Sequence, residues 1–412
     1  MIRSFFFFFN AALSIIYSFL PVYLKALGYT ATQVANIMVI DAVVGLIGVN
    51  LLGGWISDKT QKPALMLKIL SFGVAFSFIP ILTGQYWMIF VGYILFGLFS
   101  NPISGISDSL AILKAKEMGI DYGKIRVWGS IGWLSATLLV GFFLALKAVS
   151  IPIESSADII KVLKFMFEGN DINWNNPMVI MVIIGGFGMT FISALGFKER
   201  KLEQKSDKDK VKLTDIKAIF KNSYFLVFLL VVIFHIICLR SYYFSYGIHI
   251  QSLKLSPAIL SIAFSVGTIA EIIAFAFFGK LRKHFKLETI IGVALFVSLL
   301  RWLLVANTSS PLLVISLQIL QAASSGLFIA AAVSLVAEAA ESKLLVTYQQ
   351  VYNYSLAIGN LIGTYVAGIV FDRYQSAVPV FYALSFFEFV GIILVFVVIA
   401  LKKKRTLQTE TI

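Results

Sequence analysis

Twelve apolar runs, each about 20 residues and so long enough to cross the hydrocarbon core of a bilayer as a helix, take up almost the whole chain. They cover residues 4–26, 32–56, 64–83, 86–112, 127–147, 177–197, 223–248, 257–279, 288–306, 311–336, 347–371 and 379–400. Inside lipid no water satisfies a backbone N–H or C=O, so each run must close its own hydrogen bonds. Runs this long and this continuously apolar do so as helices and not as barrel strands. With 59% hydrophobic and 13% charged residues and a mean hydropathy of +0.90, the chain is too apolar for the mixed surface of a soluble fold. The expected fold is an all-α membrane protein of twelve transmembrane helices in two six-helix bundles. The first run, Phe5 to Leu24, is followed by no small-residue cleavage site and reads as a true span, not a signal.

A net charge of +13 would suit nucleic acid if it formed one patch, so its distribution decides the matter. Of the 34 Lys and Arg, six (Lys25, Lys147, Lys161, Lys164, Lys254 and Arg373) fall in one set of alternate loops and two (Arg240 and Arg301) lie deep in spans. The remainder lie in or beside the other set of loops. This asymmetry is the positive-inside pattern; it puts both termini in the cytoplasm of a chain in the inner membrane, with Lys402, Lys403, Lys404 and Arg405 near anionic headgroups. The bilayer, not nucleic acid, is the expected partner, and a monomer the expected state. A single cysteine, Cys238, excludes an internal disulfide, and His235, His249 and His284 are scattered without ligand spacing, so no metal site is expected. No nucleophile stands beside a base and no glycine loop suits phosphate, so neither enzyme chemistry nor a cofactor is expected.

The longest inward loop, from Lys198 to Tyr224, is polar and charge-dense and divides the spans six and six. It sets the expected organisation: a first bundle at 1–197, a cytoplasmic linker at 198–222 and a second bundle at 223–412. Two such halves suggest parallel repeats with a substrate site near the bilayer midplane. "GWISDKTQKP" after the second span and "GKLRKHFKLE" after the eighth occupy equivalent places. The loop of 148–177 contains "SSADIIKVLKFMFEG", which has serines able to cap and Ile159, Leu163 and Met166 at helical spacing, and so predicts an amphipathic surface segment.

Ionisable groups at depth cost several kcal/mol unless paired or hydrated, so each is a functional candidate. These are Asp41, Asp108, Arg240, Glu271, Arg301 and Glu388, with Arg126 at the inner end of the fifth span. For Glu388, in a last helix expected to be peripheral, a purely structural role has the greater weight. The run "RSYYFSY" from Arg240 suits a cavity wall better than a lipid face. In "YGKIRVWGSIGW", Arg126 and Trp133 stand seven residues apart, two helical turns, and so share one face.

These residues carry a resemblance. The chain is similar to major facilitator superfamily transporters of the lactose permease and oligosaccharide-proton symporter group, and to the phenylpropionate permease-like branch. Its most specific element is the string Gly123, Lys124, Arg126, Trp128, Gly129, Gly132 and Trp133, with Asp108 eighteen residues before Arg126 and Asn101 seven before that. The resemblance implies that Asn101, Asp108 and Arg126 hydrogen-bond solute hydroxyls while Trp133 covers an apolar sugar face. It implies that Asp58, in a Gly-x-x-x-Asp loop, latches the cytoplasmic side at the helix start near Thr347, whereas Lys283 holds the equivalent place in the second half. Glu271 and Arg301 match cavity residues of spans eight and nine. The chain departs from the pattern where Gln318, Gln321 and Ser324 replace the ionisable residues of span ten, and where Arg240 replaces an aspartate of span seven.

The function expected is secondary transport of a small hydroxylated solute, a sugar or nucleoside, by alternating access with a proton as coupling ion. Glu271, Arg301 and Arg240 are the expected coupling or anchoring groups, with Asp41 as second choice. The alternatives are an aromatic carboxylate or drug as solute, or an uncoupled facilitator.

Overall fold

The computed structural model describes residues 1–48, 52, 62–120, 122–147, 174–198, 219, 222–340 and 344–410. Among these, all regular structure is helical. In chain order the helices are α1 (Ile2–Ser18), α2 (Leu20–Ala26), α3 (Ala31–Gly48), α4 (Pro63–Ser77), α5 (Tyr86–Glu117), α6 (Gly123–Lys147), α7 (Met178–Leu195), α8 (Ser223–Ser252), α9 (Pro257–His284), α10 (Leu287–Ala306), α11 (Pro311–Ser316), α12 (Phe328–Ala339), α13 (Leu345–Tyr374) and α14 (Val378–Glu410). Ten described segments are long and apolar enough to cross a membrane. The pair α1 and α2, bent by 45°, supplies an eleventh, and α3 carries a shorter apolar stretch, Ala31–Gly45. The bend in the first span has a cause: Pro21, in the first turn of α2, lacks the N–H that a continuous helix would need.

The described chain forms two compact units. The first comprises Met1–Glu203 with Tyr246–Ser265, and the second Gln204–Ser245 with Val266–Ile412. In the first, α1 packs on α6 and α7, α3 on α5, and α4 on α5 and α7. Aromatic rings fill the centre: Phe78 lies 5.3 Å from Phe96 and 5.8 Å from Phe187, and Phe9 lies 6.1 Å from Phe187, tying four spans together. With lipid as apolar as leucine, such spans are held by close packing, for which small residues make room. Gly132 is one: a Cβ there would run into the Phe7 carbonyl, so α6 can lie on α1 only with glycine. Gly141 plays the same part for α9, since its Cβ would fall on the Ser261 side chain, and the start of α9 thereby joins the first unit.

In the second unit, α10 packs on α12 and α14, and α13 on both α12 and α14. The tenth span departs from the single helix predicted for 311–336. After α11 it tightens into a 3-10 turn, Leu317–Leu320, then widens into a π turn, Ala322–Leu327, before α12 resumes. A π turn inside a helix shifts the facing of the side chains around it and recurs at functional positions. Here the irregular stretch bears Gln318, Gln321, Ser324 and Ser325, each of which bonds at least one side chain of a neighbouring span. The predicted surface segment, 155–169, lies outside the described residues.

Candidate functional site

Each unit holds a polar cluster among its described residues. In the first, α5 carries Asn101 and Asp108 two turns apart, and α6 carries Arg126 and Trp133 with the same spacing. Asn101 Nδ2 donates to Asp41 Oδ1 at 2.9 Å and to the Gly97 carbonyl at 3.0 Å. Asp41, expected to serve coupling, is thus joined to a residue expected to bind solute. At the other end, the Tyr122 hydroxyl donates to Asp108 Oδ1 at 2.7 Å. Arg126 Nε lies 3.9 Å from the same oxygen, with 47% of the arginine and 37% of the aspartate side chain exposed.

That separation attracts without forming a hydrogen bond. The guanidinium is steadied instead by the Phe6 ring, 5.3 Å from Cζ, and the fork of donors is not closed on the carboxylate. Tyr122 stands just ahead of α6. Burial, then the bond to Asp108 and its charge, push its phenol up to about 12 against a smaller opposing pull from Arg126, so it stays a neutral donor. Trp133, two turns along α6, stacks on Tyr17 with centroids 5.9 Å apart and planes at 20°. A carboxylate, a guanidinium, an amide and broad rings are the groups that recognise a hydroxylated ring compound. A cavity of about 540 Å³ lined by Arg3, Leu110, Lys114 and Phe197, among others, is separate from these residues.

The second cluster centres on Arg301, fully buried in α10. Nη1 donates to Ser324 Oγ at 3.0 Å, and Nη2 to Gln321 Oε1 at 2.9 Å and to Gln318 Oε1. The Tyr242 and Trp302 rings lie 4.5 and 4.8 Å from Cζ. Burying a cation costs several kcal/mol, which these neutral acceptors and ring faces offset. Gln321 bridges onward, its Nε2 donating to Glu271 Oε2 at 3.2 Å, and Ser325 Oγ donates to Glu271 Oε1 at 3.2 Å. Gln321 therefore links Arg301 to Glu271, while Gln318 accepts from Arg301 and from the Tyr242 hydroxyl. Arg240 Nε donates to Asn360 Oδ1 on α13 at 2.6 Å, and its charge reaches Tyr243, whose hydroxyl accepts from Gln321 Nε2.

The structure adds residues that the sequence reading set aside. His235 and Glu388, both fully buried, meet with Nδ1 2.9 Å from Oε1. Glu388 is therefore not a peripheral charge, and His235 is not merely scattered. Each was visible in the sequence as an ionisable group near the middle of an apolar run, spans seven and twelve, but nothing there marked the two as partners. Tyr122 and Tyr17 were also missed, because neither is charged. Asp58, the expected cytoplasmic latch, lies outside the described residues.

The comparisons with known proteins agree with this architecture. The family model described as "MFS_1 like family" matches residues 1–383. The chain is 26% identical over 369 residues to the maltose permease of Geobacillus stearothermophilus, covering 87% of this chain and 83% of that relative. It is 25% identical over 371 residues to a protein of Escherichia coli (strain K12) named "Probable 3-phenylpropionic acid transporter", covering 86% and 87%. Among solved structures, the nucleoside transporter NupG (D323A mutant) superposes with a TM-score of 0.79 over 97% of this chain and 98% of that one, at 14% identity, which speaks to the fold. The protein is a multi-pass secondary transporter and not an enzyme, and the chain belongs to the MFS_1 like family.

Proposed function

We propose that the protein carries a small hydroxylated solute, a sugar or a nucleoside, across the inner membrane by alternating access, with a proton as coupling ion and both termini in the cytoplasm. The observation that carries this reading is the Asp108, Tyr122 and Arg126 group, with Trp133 two turns along α6 from Arg126 and stacked on Tyr17 of α1. A solute hydroxyl would bridge the pair from its open side, accepting from Arg126 and donating to Asp108, and a ring face would lie on Trp133. Asn101, tied to Asp41, adds an amide to the same unit. Similarity to a maltose permease supports a sugar, and the fold shared with a nucleoside transporter is compatible with either solute.

Proton coupling is assigned to Glu271, held by Gln321 and Ser325 and linked through Gln321 to Arg301. Arg240 anchors span seven to span eleven through Asn360, and Asp58 remains the proposed inner latch. The protein is proposed to act as a monomer.

A second reading, an aromatic carboxylate as solute, is favoured by the phenylpropionic acid relative and by the cation that Arg240 places in span seven. Counterflow of labelled maltose, uridine and 3-phenylpropionate into liposomes bearing the purified protein separates the two. Exchange of maltose or uridine that is lost in Asp108→Asn supports the first reading. Exchange of 3-phenylpropionate alone, lost in Arg240→Gln, would replace it with the second.

A further inference from the structure

The most completely buried polar assembly in the second unit is the His235 and Glu388 pair, to which the solute site and the coupling assignment give no role. Glu388 Oε1 accepts from Ser298 Oγ at 2.6 Å and from Trp302 Nε1 at 3.3 Å, and both carboxylate oxygens lie about one hydrogen bond from His235 Nδ1, at 2.9 and 3.0 Å. On its far side, His235 Nε2 lies 2.7 Å from the Ser324 carbonyl. A carbonyl oxygen can only accept, so Nε2 carries a hydrogen in every state this geometry allows. One further proton then lies between Nδ1 and Glu388. With it the pair is neutral overall, as imidazolium with carboxylate or imidazole with carboxylic acid. Without it a nitrogen lone pair would face a buried carboxylate, an arrangement low dielectric penalises heavily.

The bond to Ser324 falls inside the π turn, where successive side chains go to different partners. Ser324 Oγ accepts from Arg301, and Ser325 Oγ donates to Glu271. A continuous run of contacts therefore leads from Glu388 on α14, through His235 on α8 and the irregular stretch of span ten, to Arg301 on α10 and Glu271 on α9. We propose that His235 and Glu388 form a proton-holding site, and that the proton they share pins the π turn in the shape that presents Gln321 and Ser325 to Glu271. The proposal rests on Glu271 being the coupling carboxylate; the pair itself acts as a positioning device. Other titratable or charged groups around it are the Cys238 thiol on α8, which lies within electrostatic reach of Glu388, Tyr242 on the same helix, Arg301 on α10 and, past Gln321, Glu271.

Two measurements test it. The first is nitrogen-15 NMR of histidine side chains in the full-length protein in lipid nanodiscs, with His235→Asn assigning the signal. The expected result is a His235 ring bearing Nε2–H with Nδ1 hydrogen-bonded to the Glu388 carboxyl; a neutral ring protonated only at Nδ1, or a Nδ1 signal unmoved by Glu388→Ala, overturns the site. The second is uptake against pH. Glu388→Gln keeps a donor toward Nδ1, whereas Glu388→Ala vacates the place. Leaving the buried Nδ1 side of His235 without its partner is worth about tenfold in rate, so the alanine variant should be slowed by about that factor with its pH midpoint displaced, and the glutamine variant should recover both. Alanine and glutamine variants that both keep the wild-type midpoint and lose only thermal stability would overturn the positioning role. If wild-type uptake is itself indifferent to pH, the coupling assignment of Glu271 falls, and the nitrogen signals alone decide whether the site exists.

Discussion

Arg126 Nε and Asp108 Oδ1 stand 3.9 Å apart, close enough to attract and too far to close a hydrogen bond. A fully formed fork between guanidinium and carboxylate would use up the donors and acceptors that a solute needs. The open pair is half exposed, with Tyr122 holding the carboxylate in place from the other side.

Arg126→Lys is expected to keep the charge and lose the planar fork, and Asp108→Asn to keep the shape and lose the charged acceptor. Hydrogen bonds to charged groups contribute about 1.5–3 kcal/mol each, so either variant should weaken solute binding by about one to two orders of magnitude. Equilibrium binding of labelled solute to purified protein measures this directly; unchanged affinity in both variants would remove the pair from the site.

Trp133 contributes a ring face. Trp133→Phe keeps a smaller one and should cost less than Trp133→Ala, with stacking accounting for about 0.5–1.5 kcal/mol beyond the area buried. The discriminating solute is one with an apolar face against an acyclic polyol of equal hydroxyl count, compared by competition binding. The ring compound should suffer from the alanine change and the acyclic one should not.

Gly132 separates two opposing magnitudes. Alanine is better than glycine in a helix by about 1 kcal/mol, but forcing atoms into a packed contact costs about 1–3 kcal/mol, and here the contact is the Phe7 carbonyl. Gly132→Ala should therefore lower the melting temperature. Gly188→Ala on α7, where a Cβ meets nothing within 4 Å, should leave it level or raise it. Thermal denaturation of both variants in the same detergent is the check.

Tyr122 offers a spectroscopic handle outside the membrane spans. At pH 10.5 an ordinary tyrosine would be about three-quarters ionised, whereas Tyr122, pushed up to about 12, should remain a phenol and keep its bond to Asp108. The wild-type minus Tyr122→Phe ultraviolet difference spectrum should show no phenolate band at that pH. A full phenolate band would mean that Tyr122 is solvated and not bonded to Asp108.

Much of this structure could be read from residue order alone, because lipid leaves a spanning segment few choices. Apolar runs of fixed length become helices, and a charge within one needs a partner or water. That Asp108 and Arg126 belong to one site was implied by the resemblance carried by the string around Arg126, and the two lie 3.9 Å apart. The His235 and Glu388 pair was not legible, because its members are 153 residues apart and meet only through the packing of non-consecutive spans. The π turn was equally hidden: "LQILQAASSG" has helical composition, and only the side-chain bonds to Arg301 and Glu271 draw it out of the α ladder. The bend at Phe19 follows from Pro21, which a hydropathy window does not weigh.

The most direct test of the account is a thermal-shift comparison of wild type and Asp108→Asn across sugars, nucleosides and aromatic acids. A ligand present at about 100 times its dissociation constant stabilises the folded state by about 2.7 kcal/mol, well within reach of such an assay. A sugar or nucleoside that raises the melting temperature of wild type and leaves Asp108→Asn unmoved is the predicted result; a ligand that stabilises both proteins equally would contradict it.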